Sequence, residues 1–303
     1  MIRTENVTKC FGSVRSLHEV SVTVENGSIF GLIGSNGSGK STLLRTLCGI
    51  YKPDQGDVLC CGEPVFENTA IKEKIVYLSD DPYFLPHSTM ADMCQMYRSI
   101  YPKFSMERYR ELVQKFGLEE RRKIQTFSKG MQKQVSVLLG LSCMPEYLLC
   151  DETFDGLDPV MRQLVKHLII DDVAERNLCC IIASHNLREV EDMADHIALL
   201  HQGEMVLESE LDDVRTNISK IQLSFPKERC DEMEVKLQEM QPLSVVRRGS
   251  LFTVIVRGNE ESLSGWVEEQ KPQFCEFIPL TLDEVFITEM EERGYEFTKD
   301  LIG

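Results

Sequence analysis

The sequence predicts an α/β domain followed by a smaller α+β domain, and three features of the chain indicate this architecture. A glycine-rich run, Gly34–Thr42, lies between an apolar strand-like segment and a helix-like segment. Two further apolar runs, Tyr147–Glu152 and Leu178–His185, end in polar residues and are separated by a helical pattern. Toward the carboxyl terminus the pattern changes to short strands and helices. Because alternating strands and helices favour a sheet covered by helices, we divide the chain into domains 1–217 and 218–303.

The composition is that of an ordinary water-soluble protein, with 42% apolar and 27% charged residues among 303. The net charge of -16 argues against nonspecific binding to nucleic acid, which requires a basic surface. No apolar run reaches the roughly 18–20 residues that span a bilayer. We therefore expect no nucleic-acid partner and no direct membrane insertion, so that any membrane association requires a partner protein.

The eleven cysteines do not suggest a disulfide framework. The segment Met1–Phe11 has no secretory signal pattern, and Cys150, Cys179 and Cys180 lie within predicted core strands. We interpret the cysteines as buried free thiols in a reducing cytoplasm.

The first segments predict antiparallel strands, Ile2–Thr8 and Leu17–Glu25, because apolar and polar residues alternate in them. Phe11-Gly12-Ser13 is the predicted turn between these strands. An aromatic ring on this turn could stack on adenine, although exposed aromatic residues in turns are common without such a role.

The glycine-rich run fits G-x-x-x-x-G-K-[ST], the phosphate-binding P-loop. Ser28–Ile33 before it is a predicted buried strand, and Ser41–Cys48 is a predicted helix closed by Gly49. Backbone N–H groups in such a loop surround phosphate oxygens, and the helix N-terminus favours the anion. The nucleotide-binding residues of this loop are Gly34, Ser35, Asn36, Gly37, Ser38, Gly39, Lys40, Ser41 and Thr42. Lys40 would reach the β- and γ-phosphates and Ser41 would bind Mg²⁺, so the run predicts a nucleoside triphosphate site.

The middle of the chain, from Met90 to about Phe116, is predicted to be helical and is rich in methionine and aromatic residues. Such a stripe is typical of a core, but its size also suits a groove for a partner helix. Phe127–Gln132 then opens another helix, with Ser128 as a plausible N-cap and the helix end as a second anion-binding position.

The two later strands carry the remaining candidate residues. At the end of its strand, Asp151 is placed to hold Mg²⁺, and Glu152 to act on an attacking water. Gly156-Leu157-Asp158 forms the following turn. His185 ends a strand at the same sheet edge, where it would sense the γ-phosphate or orient water.

Taken together, these motifs resemble the nucleotide-binding subunits of ATP-binding cassette (ABC) transporters over about residues 1–215. The motifs that match in family order are the aromatic turn, Walker A, the signature Phe127–Gln132, Walker B, the D-loop and the switch histidine. The resemblance implies a P-loop ATPase core of a mixed sheet with helices on both faces, an antiparallel β-subdomain and a helical subdomain at about 83–145.

The resemblance also implies roles, cofactors and partners. ATP and Mg²⁺ would bind, with Lys40, Glu152 and His185 as catalytic residues. The nucleotide would be contacted by Phe11 and, across a subunit interface, by Ser128, Gly130, Gln132 and Asp158. A second nucleotide-binding subunit, in a homodimer, and a membrane permease are the implied partners. The subunit would be cytoplasmic, at the inner face of the membrane through the permease.

Two departures from the family pattern concern the signature and the Q-loop. The signature usually reads L-S-G-G-Q, whereas Phe127-Ser128-Lys129-Gly130-Met131-Gln132 retains the serine, the second glycine and a glutamine. Asp80 stands where the family has the Q-loop glutamine. A carboxylate can bind Mg²⁺ but has no N–H to donate to water, so Asp80 becomes a candidate metal ligand beside Ser41 and Asp151.

The last segment predicts strands and helices in the order β-α-β-β-α-β, the order of a ferredoxin-like unit, after a helix that ends at about Asn217. Thr281–Phe286 resembles the tails of bacterial exporter-type subunits. An accessory or regulatory role is the first interpretation and a small-molecule sensor is the alternative.

The sequence therefore predicts an Mg²⁺-dependent ATPase subunit that drives transport through a separate permease. One alternative is a soluble ABC protein that works on ribosomes or DNA. Such proteins usually have two cassettes or a long coiled-coil insertion, and neither is predicted in this sequence. The other is a regulatory ATP sensor with low turnover, an interpretation that Asp80 keeps open.

Overall fold

The computed structural model describes residues 1–213, 218–278 and 280–292, with side chains through residue 287. The chain forms two compact units, Met1–Glu208 and Ser209–Gly303. The second unit thus begins a few residues before the boundary that we predicted at residue 218. The end of the predicted helix near Asn217 lies outside the described residues.

The first unit contains an antiparallel sheet with the strand order β2-β1-β4-β5. Its strands are β1 (Ile2–Phe11), β2 (Val14–Val24), β4 (Gln55–Cys60) and β5 (Glu63–Pro64). The prediction that Phe11 lies in the first turn was wrong, because Phe11 ends β1 and pairs with Val14. A glycine at φ 61° closes the two-residue turn, so the strands can extend further than alternation indicated.

A second sheet, with parallel pairing from β6 through β9, has the order β10-β9-β3-β8-β7-β6. Its strands are β3 (Ile29–Ile33), β6 (Ile75–Leu78), β7 (Tyr147–Asp151), β8 (Cys179–Ser184), β9 (His196–His201) and β10 (Glu204–Glu210). Ile33 pairs with Ser184, and Asp151 with Ala183. Three loops that carry predicted site residues therefore leave this sheet at the same edge.

Seven α-helices are described in the first unit. They are α1 (Lys40–Leu47), α2 (Thr69–Lys72), α3 (Met90–Ile100), α4 (Met106–Phe116), α5 (Lys129–Ser142), α6 (Pro159–Arg176) and α7 (Leu187–Glu191). The segment predicted as one helical stretch from Met90 to Phe116 is two helices, each with its own side-chain cap, Thr89 and Ser105. Capping residues stabilise helix starts by satisfying backbone N–H groups, so the serine opens a new helix.

The hydrophobic core of the first unit joins the two sheets through α1. Leu43, Leu44 and Leu47 of this helix are buried with residues of both sheets, such as Val20 and Ile181. Burying an aliphatic side chain of this size stabilises the fold by about 1.5–3 kcal/mol. The core therefore fixes α1, and with it the loop that precedes this helix.

The second unit has a four-stranded antiparallel sheet with the order β12-β13-β11-β14. Its elements are β11 (Ile218–Ser224), α8 (Cys230–Glu239), β12 (Ser244–Arg248), β13 (Leu251–Arg257), α9 (Glu260–Gln270), β14 (Phe274–Ile278) and α10 (Leu282–Glu292). From β11 to β14 they follow the predicted order β-α-β-β-α-β, which is the ferredoxin-like order. Alternate residues of β11 and β13, such as Leu223 and Phe252, pack with Met233 and Leu263 of the helices in a core of their own.

Among the described residues, no helix is long and apolar enough to cross a membrane.

Candidate nucleotide site

The P-loop connects β3 to α1 and bends around its own lysine. Lys40 is 5% exposed, and its Nζ donates to the carbonyl oxygens of Gly34 at 2.7 Å and Ser35 at 3.2 Å. No side chain caps α1, whose N-cap Gly39 has φ 111°. The first-turn N–H groups of this helix therefore remain available to an anion.

Two glycines of the loop are required by close backbone approaches. A Cβ at Gly34 would lie 2.3 Å from the carbonyl oxygen of Leu200, and one at Gly39 would lie 2.6 Å from that of Ser16. Larger residues would push the loop away from these strands.

The P-loop lines a cavity of about 270 Å³. Its lining residues are Ser16, Asn36, Gly37, Gly39, Lys40, Ser41, Thr42, Asp80 and Glu152. Within the same loop, Ser38 is 3% exposed and its hydroxyl has no hydrogen-bond partner among the described residues. A buried hydroxyl without a partner costs free energy, and a phosphate oxygen would satisfy it. The uncapped N–H groups and the lysine that line the cavity form a donor set that suits a polyphosphate, and the unpartnered Ser38 hydroxyl lies in the same loop.

Asp151 is completely buried and both of its carboxylate oxygens accept hydrogen bonds. Ser41 Oγ donates to Oδ1 at 2.8 Å, and the Tyr77 hydroxyl donates to Oδ2 at 2.7 Å. Burial and the neighbouring Asp151 carboxylate raise the pKa of Tyr77, so its hydroxyl stays protonated as a donor. Arg45 Nε donates to the Tyr77 oxygen at 3.1 Å and completes the chain of bonds.

The pair of Ser41 and Asp151 fits a magnesium ion. Adjacent oxygen ligands of an octahedral Mg²⁺, each about 2.0–2.1 Å from the ion, lie about 2.9 Å apart. The observed separation of Ser41 Oγ and Asp151 Oδ1 is 2.8 Å. A hydroxyl and a carboxylate are also the oxygen donors that this ion prefers.

Glu152 departs from the strand with φ 46°, a left-handed conformation that is uncommon for a residue with a side chain. Its amide donates to the carbonyl oxygen of Ala183 at 3.0 Å. Its Oε1 lies 3.4 Å from Lys40 Nζ, and its Oε2 lies 2.9 Å from His185 Nδ1. The structure therefore brings the three predicted catalytic residues together.

Asp80, a predicted metal ligand, is bonded elsewhere. Its Oδ1 accepts a hydrogen bond from Lys133 Nζ at 2.8 Å, and its side chain is 60% exposed. Asp80 lines the P-loop cavity with Ser41, but the described contacts of its carboxylate do not include Ser41 or Asp151.

Phe11, the predicted adenine contact, is 44% exposed. Its ring meets Tyr51 edge to face at 5.2 Å, and Lys9 Nζ lies 5.6 Å from its centroid. Its exposed ring can receive a base, but it is not among the residues that line the P-loop cavity.

The signature residues lie at the start of α5, outside the lining of the P-loop cavity. Ser128 caps this helix by accepting a hydrogen bond from the Met131 amide at 3.2 Å. Gly130 is packed so closely that an added Cβ would lie 2.6 Å from the carbonyl oxygen of Gly156. Gln132 donates its amide to the carbonyl oxygens of Ile124 and Phe127, so this predicted nucleotide contact is engaged in its own segment.

Asp158 caps α6, because its Oδ1 accepts hydrogen bonds from the amides of Val160 and Met161 at 3.0 Å. The D-loop turn and the signature share a second cavity of about 320 Å³. Its lining residues are Asp80, Asp81, Pro82, Lys129, Gly130, Gln132, Lys133, Asp155 and Gly156.

Four residues of the site were not predicted from the sequence. Tyr77 and Arg45 support Asp151, Ser16 binds the Thr42 hydroxyl at 2.9 Å, and Lys133 binds Asp80. A tyrosine shortly before the Q-loop position and a lysine on the signature helix were visible in the sequence, but only the tertiary contacts give them partners.

Comparison with known proteins identifies a matching family model and several relatives of this chain. A family model described as ABC transporter matches residues 17–155. Over 287 residues the chain is 32% identical to the ABC transporter ATP-binding protein YtrB of Bacillus subtilis (strain 168), covering 95% of this chain and 97% of that protein. It is 31% identical over 218 residues to the bacitracin transport ATP-binding protein BcrA of Bacillus licheniformis, covering 71% of each.

Among solved structures, the dimeric post-hydrolysis state of the ATP-binding cassette MJ0796 bound to ADP and Pi matches with a TM-score of 0.64. The match has 23% sequence identity and covers 70% of this chain and 99% of that chain. The likeness shows a shared fold.

Proposed function

This chain belongs to the ABC transporter family, as an ATP-binding subunit, and from that premise we propose that it hydrolyses Mg²⁺-bound ATP to drive transport through a separate permease. The observation that carries the proposal is the position of Glu152, whose two carboxylate oxygens lie 3.4 Å from Lys40 Nζ and 2.9 Å from His185 Nδ1. A carboxylate between a phosphate-binding lysine and a histidine is placed to receive a proton from water.

Binding begins with the P-loop. Lys40 would bind the phosphates instead of the carbonyl oxygen that it now contacts. The uncapped N–H groups at the start of α1 would donate to the phosphates as well. Ser41 and Asp151 would hold Mg²⁺, which neutralises phosphate charge when it is bound. Asp80 is the third ligand proposed from the sequence, and it would have to use an oxygen that Lys133 does not engage.

In the reaction, the oxygen of a water molecule attacks the γ-phosphorus and the bond to the bridging β,γ-oxygen breaks. Glu152 takes the proton that the water loses, and Lys40 neutralises the charge on the ADP and phosphate products. His185 holds the Glu152 carboxylate through Nδ1 and its own amide, which donates at 3.3 Å. His185 therefore orients the base, and it would also sense whether the γ-phosphate is bound.

The catalytic unit that we propose is a homodimer with two shared sites. Ser128, Gly130 and Asp158 lie outside the lining of the P-loop cavity of their own chain. In a symmetric pair, each P-loop would face the signature of the other chain. The dimeric MJ0796 cassette, which shares this fold, supports that arrangement.

The proposed permease surface lies on the helical subdomain. Tyr83, Leu85, Met96 and Ile100 expose between 36% and 77% of their surface there. Met96 and Ile100 lie one turn apart on α3, and such an exposed apolar pair suits a partner helix, the second interpretation of the methionine-rich segment. Through that contact the subunit would be located at the cytoplasmic face of the membrane.

The decisive experiment is steady-state ATPase activity of the full chain, compared with that of Glu152→Gln, while the oligomeric state is followed with ATP. We expect the variant to lose at least about a hundredfold in turnover, the lower range for a general base, and to accumulate as a dimer with ATP bound.

ATP binding by a monomer without turnover in the unmodified chain would overturn the homodimeric motor. That outcome would instead favour the sensor of low turnover.

A further inference from the structure

Lys133 of α5 connects two parts of the candidate site. Its Nζ donates to Asp80 Oδ1 at 2.8 Å and to the backbone carbonyl oxygen of Glu152 at 2.8 Å. The side chain is only 12% exposed, although it carries a charge. A buried ammonium requires partners, and these two oxygens supply them.

The contact with Glu152 falls where the backbone is under strain. Glu152 has φ 46°, and such a conformation persists in a residue other than glycine only when its surroundings hold it. The preceding peptide is held by the bond from the Glu152 amide to Ala183. The following peptide is held through its carbonyl oxygen, which accepts from Lys133 Nζ at 2.8 Å and, at the longer distance of 3.3 Å, from the Asp155 amide. Both peptide groups that set the direction of the Glu152 side chain are therefore anchored.

Asp80 is the counter-ion in this arrangement. It is 60% exposed and can reach its position at little desolvation cost, whereas Lys133 approaches from a buried helix. Without Asp80, Lys133 would keep its bond to the Glu152 carbonyl but lose the carboxylate that balances its charge. The bond thus accounts for a carboxylate at this position without a metal ion.

We propose that Lys133 is a positioning residue for hydrolysis, which holds the backbone of Glu152, and that Asp80 serves as its counter-ion. This inference rests on the proposed function, because it assumes that Glu152 is the base. Lys133 lies on the helix whose first residues would contact ATP bound to the partner subunit. A shift of that helix would move the Glu152 carbonyl and change the orientation of the Glu152 carboxylate.

The test compares Lys133→Met, Lys133→Arg and Asp80→Asn in the full chain. The matched control is Lys166→Met, because the Lys166 side chain is 6% exposed and binds the exposed Asp192 at 2.8 Å, away from the P-loop cavity. The measurements are kcat, KM for ATP, affinity for a fluorescent ATP analogue, the Mg²⁺ concentration for half-maximal activity, and thermal stability.

We expect Lys133→Met to lower kcat by about tenfold to a hundredfold, the range caused by small misplacements of a catalytic group, while analogue affinity changes less than about threefold. Lys133→Arg should restore most of kcat, since it keeps the charge and the donors. Asp80→Asn should have a smaller effect, because the bond to Glu152 remains. Lys166→Met should lose similar stability with kcat unchanged.

Equal kcat in Lys133→Met and Lys166→Met would overturn the proposal. A higher Mg²⁺ requirement in Asp80→Asn, without one in Lys133→Met, would show that Asp80 is a metal ligand and not a counter-ion.

A second readout does not depend on hydrolysis. Amide hydrogen exchange in peptide 150–156 should become faster in Lys133→Met than in Lys166→Met, since the Glu152 carbonyl loses the shorter of its two hydrogen bonds and keeps only the one from the Asp155 amide. If Glu152→Gln retained activity, the proposed function would fail while this exchange difference would still test the anchor. Unchanged exchange in Lys133→Met would refute the anchor itself.

Discussion

The P-loop side and the signature side of the first unit use their polar side chains differently. On the P-loop side, Lys40, Asp151, Glu152 and His185 bond to one another or to the loop, and Lys40 and Glu152 form an ion pair at 3.4 Å. On the signature side, Ser128 and Gln132 bond within their own segment, while Lys133, further along α5, bonds to Asp80 and to the Glu152 backbone.

This difference indicates which side performs chemistry and which side completes it. This network of an ion pair and hydrogen bonds positions a base and a lysine before a substrate binds, which lowers the reorganisation that the reaction requires. A capped helix start keeps its direction but offers few groups beyond its backbone N–H donors. Neither side alone surrounds a triphosphate, which is why we propose that two chains share each site.

Complementation between two inactive variants is the strongest test of the different roles of the two sides. Lys40→Ala would disable the P-loop side and Ser128→Arg the signature side, each reducing ATPase activity to near zero. In an equal mixture, half of the dimers would be mixed and each would contain one intact site. ATPase activity should therefore return to about a quarter of the unmodified value, if pairing is random and the sites act independently.

The control for that experiment is each variant mixed with itself at the same total concentration. If the mixture stays inactive although mixed dimers form, the shared site is wrong. Full activity of Ser128→Arg alone would remove the signature side from the mechanism.

A smaller effect tests the internal bonding of the P-loop side. In Tyr77→Phe, Asp151 loses a donor at 2.7 Å and Arg45 loses an acceptor. We expect a loss of about 1.5–3 kcal/mol in the free energy of unfolding of the first unit, the range for a hydrogen bond to a charged group. Urea unfolding of the full chain gives the measurement.

Tyr83→Phe is the matched control, because Tyr83 is 77% exposed and its hydroxyl has no bond in the described structure. A loss as small as that of the control would show that the Tyr77 bond does not stabilise Asp151.

The smallest effect concerns a buried carboxylate behind the switch histidine. The Glu189 side chain is 4% exposed and binds Ser184 Oγ at 3.2 Å, and burial raises its pKa above the ordinary 4.5 while Arg162 opposes the rise. The folded protein therefore holds this proton more tightly than the unfolded chain does. Its contribution is fully present below about pH 4.5 and is lost as the pH rises through the folded pKa.

In Glu189→Gln the side chain does not titrate, so this loss of stability with rising pH is absent. The free energy of unfolding should therefore fall less between pH 4.5 and about 7.5 in the variant than in the unmodified protein. Urea midpoints of both proteins across that range measure the difference, in which other titrating groups cancel. Parallel curves would mean that Arg162 offsets the burial completely.

Most of the fold followed from local patterns. The P-loop motif between an apolar run and a helical run predicted β3, the loop and α1, because glycine spacing and hydrophobic periodicity are local properties. The β-α-β-β-α-β order of the second unit was predicted in the same way. An error occurred at the first boundary, where Phe11 ends a strand, and the segment predicted to be helical from Met90 to Phe116 contains two helices.

The candidate site was predicted in part. Side chains at the carboxyl ends of parallel strands meet at one sheet edge, so the sequence was enough to assign Glu152 and His185 to the P-loop. Asp80 could be assigned to a motif position but not to a partner, because Lys133 lies 53 residues away in the chain.

The sequence by itself predicted the phosphate-binding loop with its lysine and hydroxyl, and the carboxylates and histidine at the neighbouring strand ends, because motif spacing and strand patterns are local properties. Only the tertiary structure decided how those residues are held. Tyr77 reaches Asp151 because β6 and β7 pair side by side, and Lys133 reaches Glu152 because α5 packs near the sheet edge; burial then makes each of those hydrogen bonds necessary. Contacts of that kind depend on distances between segments far apart in the chain, which no local pattern of residues contains.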